Sequence, residues 1–399
     1  MTSVGSRERR VAAIADELRA DAANGLFYDA APADAARFTR LRRLAAELLA
    51  EVDSRDADQI TSVFDTDRGL RTPWLGVALV LNDQRRGIML AADAGDGRPG
   101  IPHAFVDESL PPETAVQRLA ETLIPDAQVL PVPHGVCDTI SAGLPMVHTY
   151  FLTYVVDVTF VAPEDIAVPL VPQTEADESD VDPLTAYLIA GADRTVIDAP
   201  LALPASTRDI LSEVRELAIE GRPDTDDPYD IARYQRITET MDALLAGVPN
   251  EAPYVEHHFG PLDVRTPVTS AEALITDPDG RILLLRRHDT GEWAMPGGAC
   301  EVGESSAGSA VREVQEELVL DIEIDGLAGV FDNRSINAPK PGTWVAFVYI
   351  AHQSNPSDQP ENTAEALESA WFRPEDIKAL NTFNGHDVKI ERALTILNG

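Results

Sequence analysis

Six acidic and basic side chains lie within one short segment, "GGACEVGESSAGSAVREVQEELVL", which runs from Gly297 to Leu320. Glu313, Glu316 and Glu317 have the i, i+3, i+4 spacing that places side chains on one face of a single helical turn. Three carboxylates in this arrangement repel one another, whereas a divalent cation that prefers oxygen ligands stabilises them. The spacing therefore predicts a site for Mg²⁺, a cation that also binds substrate phosphates.

The residues around this cluster predict how it is positioned. We expect a helix to begin at Ser305 or Ser306, because serine is a favoured N-cap residue. Its buried side has helical periodicity and consists of Ala310, Val311, Val314 and Leu318. Before the helix, "PGG" from Pro296 lets the backbone approach a ligand, since glycine has no side chain to obstruct it. Glu304 and Arg312 are expected to pair and hold this loop against the helix.

The alternative interpretation of the cluster is a solvated acidic helix face. The chain has 67 acidic residues and a net charge of −35, so neighbouring glutamates alone do not identify a metal site. The flanking residues decide between the two interpretations. Gly298, Glu304 and "REVQEELVL" from Arg312 follow the pattern Gly-x5-Glu-x7-Arg-Glu-U-x-Glu-Glu-x-Gly-U, where U is apolar, and so resemble the Nudix box.

One position departs from that pattern, because Val319 stands where the family has glycine. A β-branched residue resists positive φ, so the sequence argues against the left-handed helix end that is usual in the family. The metal carboxylates are unaffected by this difference. With its flanking segments, the resemblance extends over about Thr266 to Leu397.

The resemblance to Nudix hydrolases implies an activity. The family hydrolyses nucleoside diphosphates linked to another moiety, with Mg²⁺ neutralising the diphosphate while water attacks phosphorus. Carried over by position, Glu313, Glu316 and Glu317 would bind the metal together with the backbone carbonyl of Gly298. Mn²⁺ is an alternative metal. ADP-ribose, a nucleotide sugar, a dinucleotide and an oxidised nucleotide all remain open as substrates.

The resemblance leaves the general base open between the three glutamates and a loop acid. Glu365 and Glu368 are the loop candidates, and Glu368 is included among the predicted catalytic residues. Arg286 and Arg287, at the end of the strand–turn–strand segment "AEALITDPDGRILLLRR", are candidate phosphate ligands. For either arginine, the alternative is a solvated residue at a strand end.

The chain also repeats itself. "IADELRADAANG" from Ile14 matches "ILSEVRELAIEG" from Ile210 at an offset of 196 positions, and "LRTPWLGVALVL" from Leu70 matches "VRTPVTSAEALI" from Val264 at an offset of 194. Each copy has a helical head, recognised by apolar positions of period 3.6, followed by a larger α/β body. At the positions of the three glutamates, the first copy has Leu119, Thr122 and Leu123. We therefore expect chemistry only in the second body.

These patterns predict two tandem Nudix-like α/β/α sandwich bodies with mixed sheets, each preceded by a small helical segment. The predicted boundaries are 1–55 for the first head, 56–202 for the degenerate body, 203–252 for the second head and 253–399 for the catalytic body. The heads resemble the N-terminal segment of one Nudix subgroup. If the ancestral unit was a homodimer, the two halves should pair as a pseudo-dimer within one chain. Apolar faces such as Phe38, Leu41 and Leu48 of one head would then meet Tyr234, Ile237 and Leu244 of the other head, or the opposite body. The alternative is two halves that do not pack against each other.

Composition argues against a membrane protein and against a protein built around cysteine pairs. No apolar run approaches the roughly 18 residues that a membrane span requires, and the two cysteines, Cys137 and Cys300, have no metal or disulfide spacing. We therefore expect a cytoplasmic protein without a membrane span. The lack of a convincing DNA-reading segment argues against nucleic acid as a partner. Two other classes are a regulator that senses a nucleotide without hydrolysing it and a structural scaffold.

Overall fold

The protein is described here by a computed structural model. It describes residues 6–28, 30–67, 69–92, 98–125, 127–130, 132–139, 148–159, 161, 166–176, 181, 183–190, 204–246, 265–336, 338 and 342–397. His257 and His258, for which the sequence predicts a surface or packing role, lie outside these residues. The segment "DRTVIDA" from Asp193, which matches "DVKIERA" from Asp387 in the repeat, also lies outside them.

Within its described residues, the first half of the chain forms five α-helices and six strands. The helices are α1 (Ser6–Phe27), α2 (Pro32–Ala50), α3 (Ala57–Phe64), α4 (Pro112–Leu123) and α5 (Pro183–Ala190). The strands are β1 (Trp74–Asp83), β2 (Gly87–Ala91), β3 (His103–Phe105), β4 (Gly135–Asp138), β5 (Thr149–Asp157) and β6 (Leu170–Pro172).

The second half begins with two helices and continues into a larger sheet. Its helices are α6 (Ala205–Gly221), α7 (Pro228–Ala246), α8 (Ser306–Leu318), α9 (Pro374–Ile377) and α10 (His386–Leu397). Its strands are β7 (Val268–Thr276), β8 (Ile282–Arg287), β9 (Trp293–Ala294), β10 (Gly297–Ala299), β11 (Ile322–Asp332), β12 (Trp344–Gln353) and β13 (Ala366–Phe372).

The two sheets have the same topology. The first has the strand order β4-β5-β1-β2-β6 with β3 beside β1, and the second has β11-β12-β7-β8-β13 with β10 beside β7 and β9 beside β8. In each sheet one central pair is parallel, β1 with β5 and β7 with β12. The predicted fold class, two α/β bodies with mixed sheets together with helical segments, is confirmed.

The strand registers extend the match between the copies to single residues. Trp74 pairs with Thr149 in the first sheet, and Val268, which is 194 positions after Trp74, pairs with Trp344 in the second. Gly298 of β10 pairs with Ala271, and Ala104 of β3 occupies the equivalent place opposite Val77. These equivalences allow the first body to be used as an internal comparison for the second.

The structure places α3 with the helical segments rather than with the first body. Ile60 and Phe64 of α3 belong to the core formed by α1 and α2, so the first head extends past the predicted boundary at residue 55. The predicted boundaries at 202/203 and 252/253 lie outside the described residues. None of the described helices is long and apolar enough to cross a membrane.

The two heads share one hydrophobic core. Phe38, Leu41 and Leu48 of α2 lie in the same buried apolar cluster as Tyr234, Ile237 and Leu244 of the second head. The rings of Phe38 and Tyr234 stack with centroids 5.4 Å apart. Tyr234 also donates a hydrogen bond of 2.8 Å from its hydroxyl to Asp34 Oδ1, which satisfies that buried polar group. The predicted apolar faces therefore do contact each other.

A glycine in each head allows this aromatic stack to form. A Cβ at Gly25 would lie 2.5 Å from the ring of Phe38, and a Cβ at Gly221 would lie 2.5 Å from the ring of Tyr234. The two glycines are equivalent in the repeat, as are the two rings. In both copies, the absence of a side chain lets an aromatic ring of the next helix lie against the helix end.

The bodies contact each other through equivalent segments. Gly303 donates a backbone hydrogen bond of 2.9 Å to His148 Nδ1 of the first body. Thr343 of the second body donates a hydrogen bond of 2.8 Å from its hydroxyl to the carbonyl of Glu108 in the first body. Because β5 and β12 correspond, His148 and Thr343 occupy equivalent places, each just before its strand.

The glycine contacts give a stability prediction. Gly25→Ala or Gly221→Ala should lower the free energy of unfolding by about 1–3 kcal/mol, because the added methyl group overpacks the ring. This loss opposes the gain of about 1 kcal/mol that alanine ordinarily gives inside a helix. Chemical denaturation measures it. Gly326→Ala is the matched control, since a Cβ there meets nothing within 4 Å. Equal stability of all three variants would contradict the overpacking.

Candidate active site

The helix that carries the three glutamates begins at a side-chain cap. Ser305 is the N-cap of α8, and its hydroxyl accepts a hydrogen bond from the backbone N–H of Gly308. Ala310, Val314 and Leu318 are fully buried on the side that faces the sheet. Burial of these apolar side chains sets the orientation of α8 about its own axis. The glutamates on the opposite side therefore face the neighbouring loops.

The expectation for the end of this helix was wrong. Val319 has the left-handed conformation, with φ 48° and ψ 44°. The strain of such a residue is of the order of 1–3 kcal/mol and persists where surrounding contacts determine the backbone. Here the following loop supplies them, because Glu361 donates to the carbonyl of Leu318 (2.8 Å) and Thr363 donates to that of Glu317 (3.1 Å). The Val319 residue is 48% exposed.

The glycine pair before the helix lies directly against the carboxylates. A Cβ at Gly298 would be 2.6 Å from both carboxylate oxygens of Glu313, so a residue with a side chain would displace that group. Gly297 has a φ of 148° and donates a backbone hydrogen bond of 2.9 Å to Glu317 Oε2. The structure thus brings Gly298, Glu313 and Glu317 together at the end of β10.

The carboxylates of α8 differ in exposure. The side chain of Glu317 is buried, that of Glu313 is 12 % exposed, and that of Glu316 is 39 % exposed. Burial raises the pKa of Glu313 to about 8, with Arg312 opposing and Glu316 adding to the rise. Burial and the charge of Glu313 raise the pKa of Glu317 well above its ordinary value. Two of the three acids are therefore costly to ionise without a nearby cation.

Arg312 connects the helix to the preceding loop. Its Nη2 donates to Glu304 Oε1 (2.8 Å), and its Nη1 donates to both Glu313 Oε1 (2.9 Å) and Glu316 Oε2 (2.8 Å). Burial pushes the pKa of Glu304 upward, but the hydrogen bonds and charge of Arg312 outweigh it and hold that pKa below its usual value. The expected pairing of Glu304 with Arg312 is present, and Arg312 also contacts two predicted metal ligands.

The loop acids lie in different places. Glu368 pairs across the strands with Arg286, with 2.8 Å between Oε1 and Nε, so these two predicted site residues contact each other rather than the cluster. Glu365, by contrast, interacts electrostatically with Glu316, and burial raises its pKa. It also forms a hydrogen bond with Tyr229 of the second head. Of the two loop candidates, Glu365 is the one beside the glutamates.

Arg287 lies between two neighbours that fix its orientation. It forms two hydrogen bonds with Asp289 (2.9 and 2.7 Å), and its guanidinium lies 4.4 Å from the ring centre of Phe383. Burial lowers the pKa of Arg287, but Asp289 and then the nearby Glu317 outweigh that effect and raise it. Arg287 is therefore a fixed positive charge close to the carboxylates.

The first half of the chain holds the loop that precedes α8. His148 accepts the N–H of Gly303 at Nδ1, so its ring proton is on Nε2, which donates to Asp138 Oδ1 at 2.9 Å. Tyr150 donates from its hydroxyl to the carbonyl of Glu304 (2.7 Å). Sequence analysis missed His148 and Tyr150, because more than 150 positions separate them from the loop and no motif links them to it.

The helical heads contact the same loop. Arg236 of α7 forms ion pairs of 2.7 Å with both Glu301 of the loop and Asp21 of α1. A Cβ at Gly303 would lie 3.1 Å from the carboxyl carbon of Glu17 in α1. Thus residues of both heads and of the first body surround the segment from Glu301 to Glu304.

The first body shows what this region becomes without the glutamates. Leu123 occupies the position of Glu317 and is buried in an apolar cluster with Val116 and Ala120. Ala104 replaces Gly298, which is compatible with Leu119 at the position of Glu313. Among the described residues of this body, the helix α4 is thus a packing element, with no equivalent of the carboxylate cluster.

The donor set of the second body fits a divalent cation. Across the described ranges, no three His, Cys, Asp or Glu side chains form a ready-made metal cage. The acids on α8 nevertheless offer only oxygen atoms, as Mg²⁺ prefers. The carboxylate of Glu313 is pressed against Gly298, and the burial of Glu313 and Glu317 makes a positive charge favourable there.

Comparison with known proteins identifies two parts of the chain. Residues 266–394 match the NUDIX domain, and residues 9–64 match the family described as UDP-X-like, N-terminal oligomerisation domain. The second body therefore matches the NUDIX domain, and α1, α2 and α3 lie largely within the match to the UDP-X-like N-terminal domain. The predicted resemblance to Nudix hydrolases is confirmed.

Individual relatives cover parts of the chain. A MutT-like protein of Streptomyces ambofaciens is 32% identical over 109 residues, which are 27% of this chain and 65% of that protein. A putative ADP-ribose pyrophosphatase of Bacillus subtilis, YjhB, is 28% identical over 165 residues, 41% of this chain and 78% of that protein. The crystal structure of a UDP-X diphosphatase is similar with a TM-score of 0.40 and 21% identity, over 48% of this chain and 93% of that one.

The contacts of His148 give a second prediction. His148→Ala should lower kcat about 10- to 100-fold, the usual range for residues that orient metal ligands from a distance, because the loop loses the acceptor for Gly303. Steady-state kinetics on the full chain measures this. His352→Ala is the control, since His352 pairs with Asp325 on the surface at 3.0 Å. Unchanged kcat in a folded His148→Ala protein would show that the contact does not position the loop.

Proposed function

We propose that the second body hydrolyses the phosphoric anhydride bond of a nucleoside diphosphate linked to another moiety, with a divalent metal ion. The observation that carries this proposal is the close contact between Gly298 and the buried carboxylate of Glu313, with Glu317 bound to the adjacent Gly297. Such an arrangement serves no packing purpose, as the apolar helix of the first body illustrates. The NUDIX match and the named relatives support the same reaction class.

The metal would be Mg²⁺, with Mn²⁺ as the alternative. Glu313, Glu316, Glu317 and the carbonyl of Gly298 would hold it. When bound, the ion would neutralise negative charge on the diphosphate. Arg312 already orients Glu313 and Glu316 through hydrogen bonds, so the helix turn is arranged before any ligand arrives.

Glu365 is the general base that the geometry supports best. A base must lie near the reacting groups and have a pKa close to the working pH. Glu365 interacts with Glu316, and burial raises its pKa, whereas Glu368 is paired with Arg286. Arg287, held by Asp289, would contact a phosphate oxygen of the substrate.

The first half of the chain would act as a pseudo-subunit. The heads share one core, the bodies exchange equivalent hydrogen bonds, and the first body lacks the carboxylates at Leu119, Thr122 and Leu123. One chain would thus contain the packing of a dimer and a single reactive site.

ADP-ribose and nucleotide sugars are the first substrates to test. One relative is named as a putative ADP-ribose pyrophosphatase, and residues 9–64 match a UDP-X-like N-terminal domain. Hydrolysis of a panel of nucleoside diphosphate derivatives, each with Mg²⁺ or Mn²⁺ and with a chelator, tests the proposal. Metal-dependent turnover of at least one compound supports it, and inactivity towards the whole panel would contradict it.

Replacing the metal ligands gives the third prediction. Glu316→Gln and Glu317→Gln should each lower kcat by a factor on the order of 10² or more, since each removes charge that holds the cation. Circular dichroism should show an unchanged fold. Glu323→Gln is the control, because Glu323 is exposed on β11. Near-normal kcat in both ligand variants would exclude the proposed metal site.

The base assignment gives the fourth prediction. Glu365→Gln should lower kcat about 10²- to 10⁴-fold and remove the acid limb of the pH–rate profile. Because burial raises the pKa of Glu365, that limb in the wild type should lie above the ordinary glutamate value. Glu368→Gln should retain the limb. The reverse pattern would assign the base to Glu368.

A further inference from the structure

The two heads differ at one ion pair. Arg40 of α2 and Arg236 of α7 are equivalent in the repeat, and so are Glu17 of α1 and Glu213 of α6. Between the heads, Arg40 pairs with Glu213 at 2.6 Å. The equivalent contact would join Arg236 to Glu17. Arg236 instead forms an ion pair of 2.7 Å with Glu301, in the loop before α8.

The loops of the two bodies account for this difference. Asp107 occupies the position of Glu301 in the first body, and its Oδ1 accepts the backbone N–H of Ser109 at 2.8 Å. This short side chain therefore binds its own loop. In the second body, Gly303 stands at the position of Ser109, and the longer Glu301 reaches Arg236 of the second head. The copy with the carboxylates thus has a contact between head and loop where the other copy has a contact between heads.

Glu17 lies at the same junction and is half-buried. A Cβ at Gly303 would be 3.1 Å from the carboxyl carbon of Glu17, so this carboxyl group lies against the loop backbone. Burial raises the pKa of Glu17 to about 8. The charged groups that face it from α1, α7 and the loop are, in order of effect, Asp21, Arg236, Glu301 and Asp16, and of these Arg236 alone lowers the pKa. Near neutral pH, Glu17 therefore holds a proton and does not compete for the arginine.

Glu301 is the better partner for this arginine. Burial raises the pKa of Glu301 as well, but Arg236 and Arg312 both oppose the rise. Burial lowers the pKa of Arg236, but Asp21 and then Glu301 outweigh that effect and raise it. A permanent cation thus lies near two carboxyl groups, one of which binds it while the other is protonated.

We propose that Glu17 is a positioning residue for the loop before α8 and acts through Arg236. Uncharged Glu17 leaves Arg236 to Glu301, so the loop is held against the second head. Ionised Glu17 attracts Arg236 towards α1 and repels Glu301, which releases the loop. Glu304 of this loop binds Arg312, which in turn orients two of the predicted metal ligands. The inference rests on the proposed function for its effect on turnover, and on the contacts alone for its effect on the loop.

The direction of the pH dependence follows from linkage. A carboxyl group whose pKa is higher in the held loop than in the released loop stabilises the held loop while it is protonated. This contribution is complete below the ordinary pKa of 4.5 and declines as the pH rises towards about 8. Above that value Glu17 is ionised in both states, so the contribution is lost.

Hydrogen exchange of the loop, without metal or substrate, tests the proposal. Mass spectrometry follows peptides that cover residues 300–306 in the full-length wild type and in Glu17→Gln, whose side chain is neutral at every pH. The ratio of loop exchange rates, wild type over variant, should rise about tenfold between pH 7 and pH 9. Comparison at the same pH cancels the intrinsic exchange rate and every group that titrates in both proteins. A ratio that does not change with pH would overturn the proposal.

Two further variants show whether the contact with Arg236 is responsible. Glu213→Gln is the matched control, because the equivalent glutamate pairs with Arg40 rather than with a loop residue. It should leave the pH dependence of loop exchange as in the wild type. Glu301→Ala removes the carboxylate that the loop offers to Arg236, so loop exchange at pH 7 should become about threefold faster or more. Unchanged exchange in a folded Glu301→Ala protein would overturn the proposal, as would an effect of Glu213→Gln equal to that of Glu17→Gln.

Activity separates this proposal from the proposed reaction. The ratio of kcat, Glu17→Gln over wild type, should rise between pH 7 and pH 9 together with the exchange ratio. A pH-dependent exchange ratio in a protein that hydrolyses no diphosphate would support the positioning role and contradict the proposed reaction. Metal-dependent hydrolysis with exchange and kcat ratios that are both independent of pH would support the reaction and overturn the positioning role.

Discussion

The contact between the Glu313 carboxylate and Gly298 is the constraint on which the site depends. It requires a residue without a side chain on β10, a helix turn pressed against that strand, and an arrangement of charge that tolerates buried carboxylates. Arg312 supplies part of the positive charge and at the same time ties the helix to Glu304 of the preceding loop. The same contact explains why, among the described residues, the carboxylate cluster is confined to the second copy, since Ala104 and an apolar helix occupy the equivalent place in the first.

The rest of the chain supports that loop from outside the NUDIX domain. His148 and Tyr150 bind its backbone, and Arg236 binds Glu301, so both bodies and the second head converge on it. A duplicated unit thus retains the dimer-like contacts of its heads and bodies while only one copy keeps the carboxylates. Linkage in one chain keeps these contacts together at any protein concentration. The first copy is therefore best understood as a support for the second.

Local sequence patterns predicted much of this arrangement. The spacing of the glutamates, the serine cap and the Glu304–Arg312 pair are all properties of one short segment, and the duplication is visible by comparing the chain with itself. Val319 was misjudged because its conformation is set by hydrogen bonds from a loop some 40 residues later, not by its own preference. His148 could not be found from the sequence, since its role exists only where the two bodies meet. Long-range packing, rather than local propensity, decided each of these cases.

The central claim is that the carboxylate site needs the first half of the chain to hold its loop in place. Metal-dependent hydrolysis by residues 203–399 expressed alone, measured before and after residues 1–202 are added, tests it most directly. The account predicts that the isolated half is weakly active, or self-associates to replace the missing contacts, and that adding the first half restores turnover. A stable, monomeric fragment with the full activity of the intact chain would contradict it.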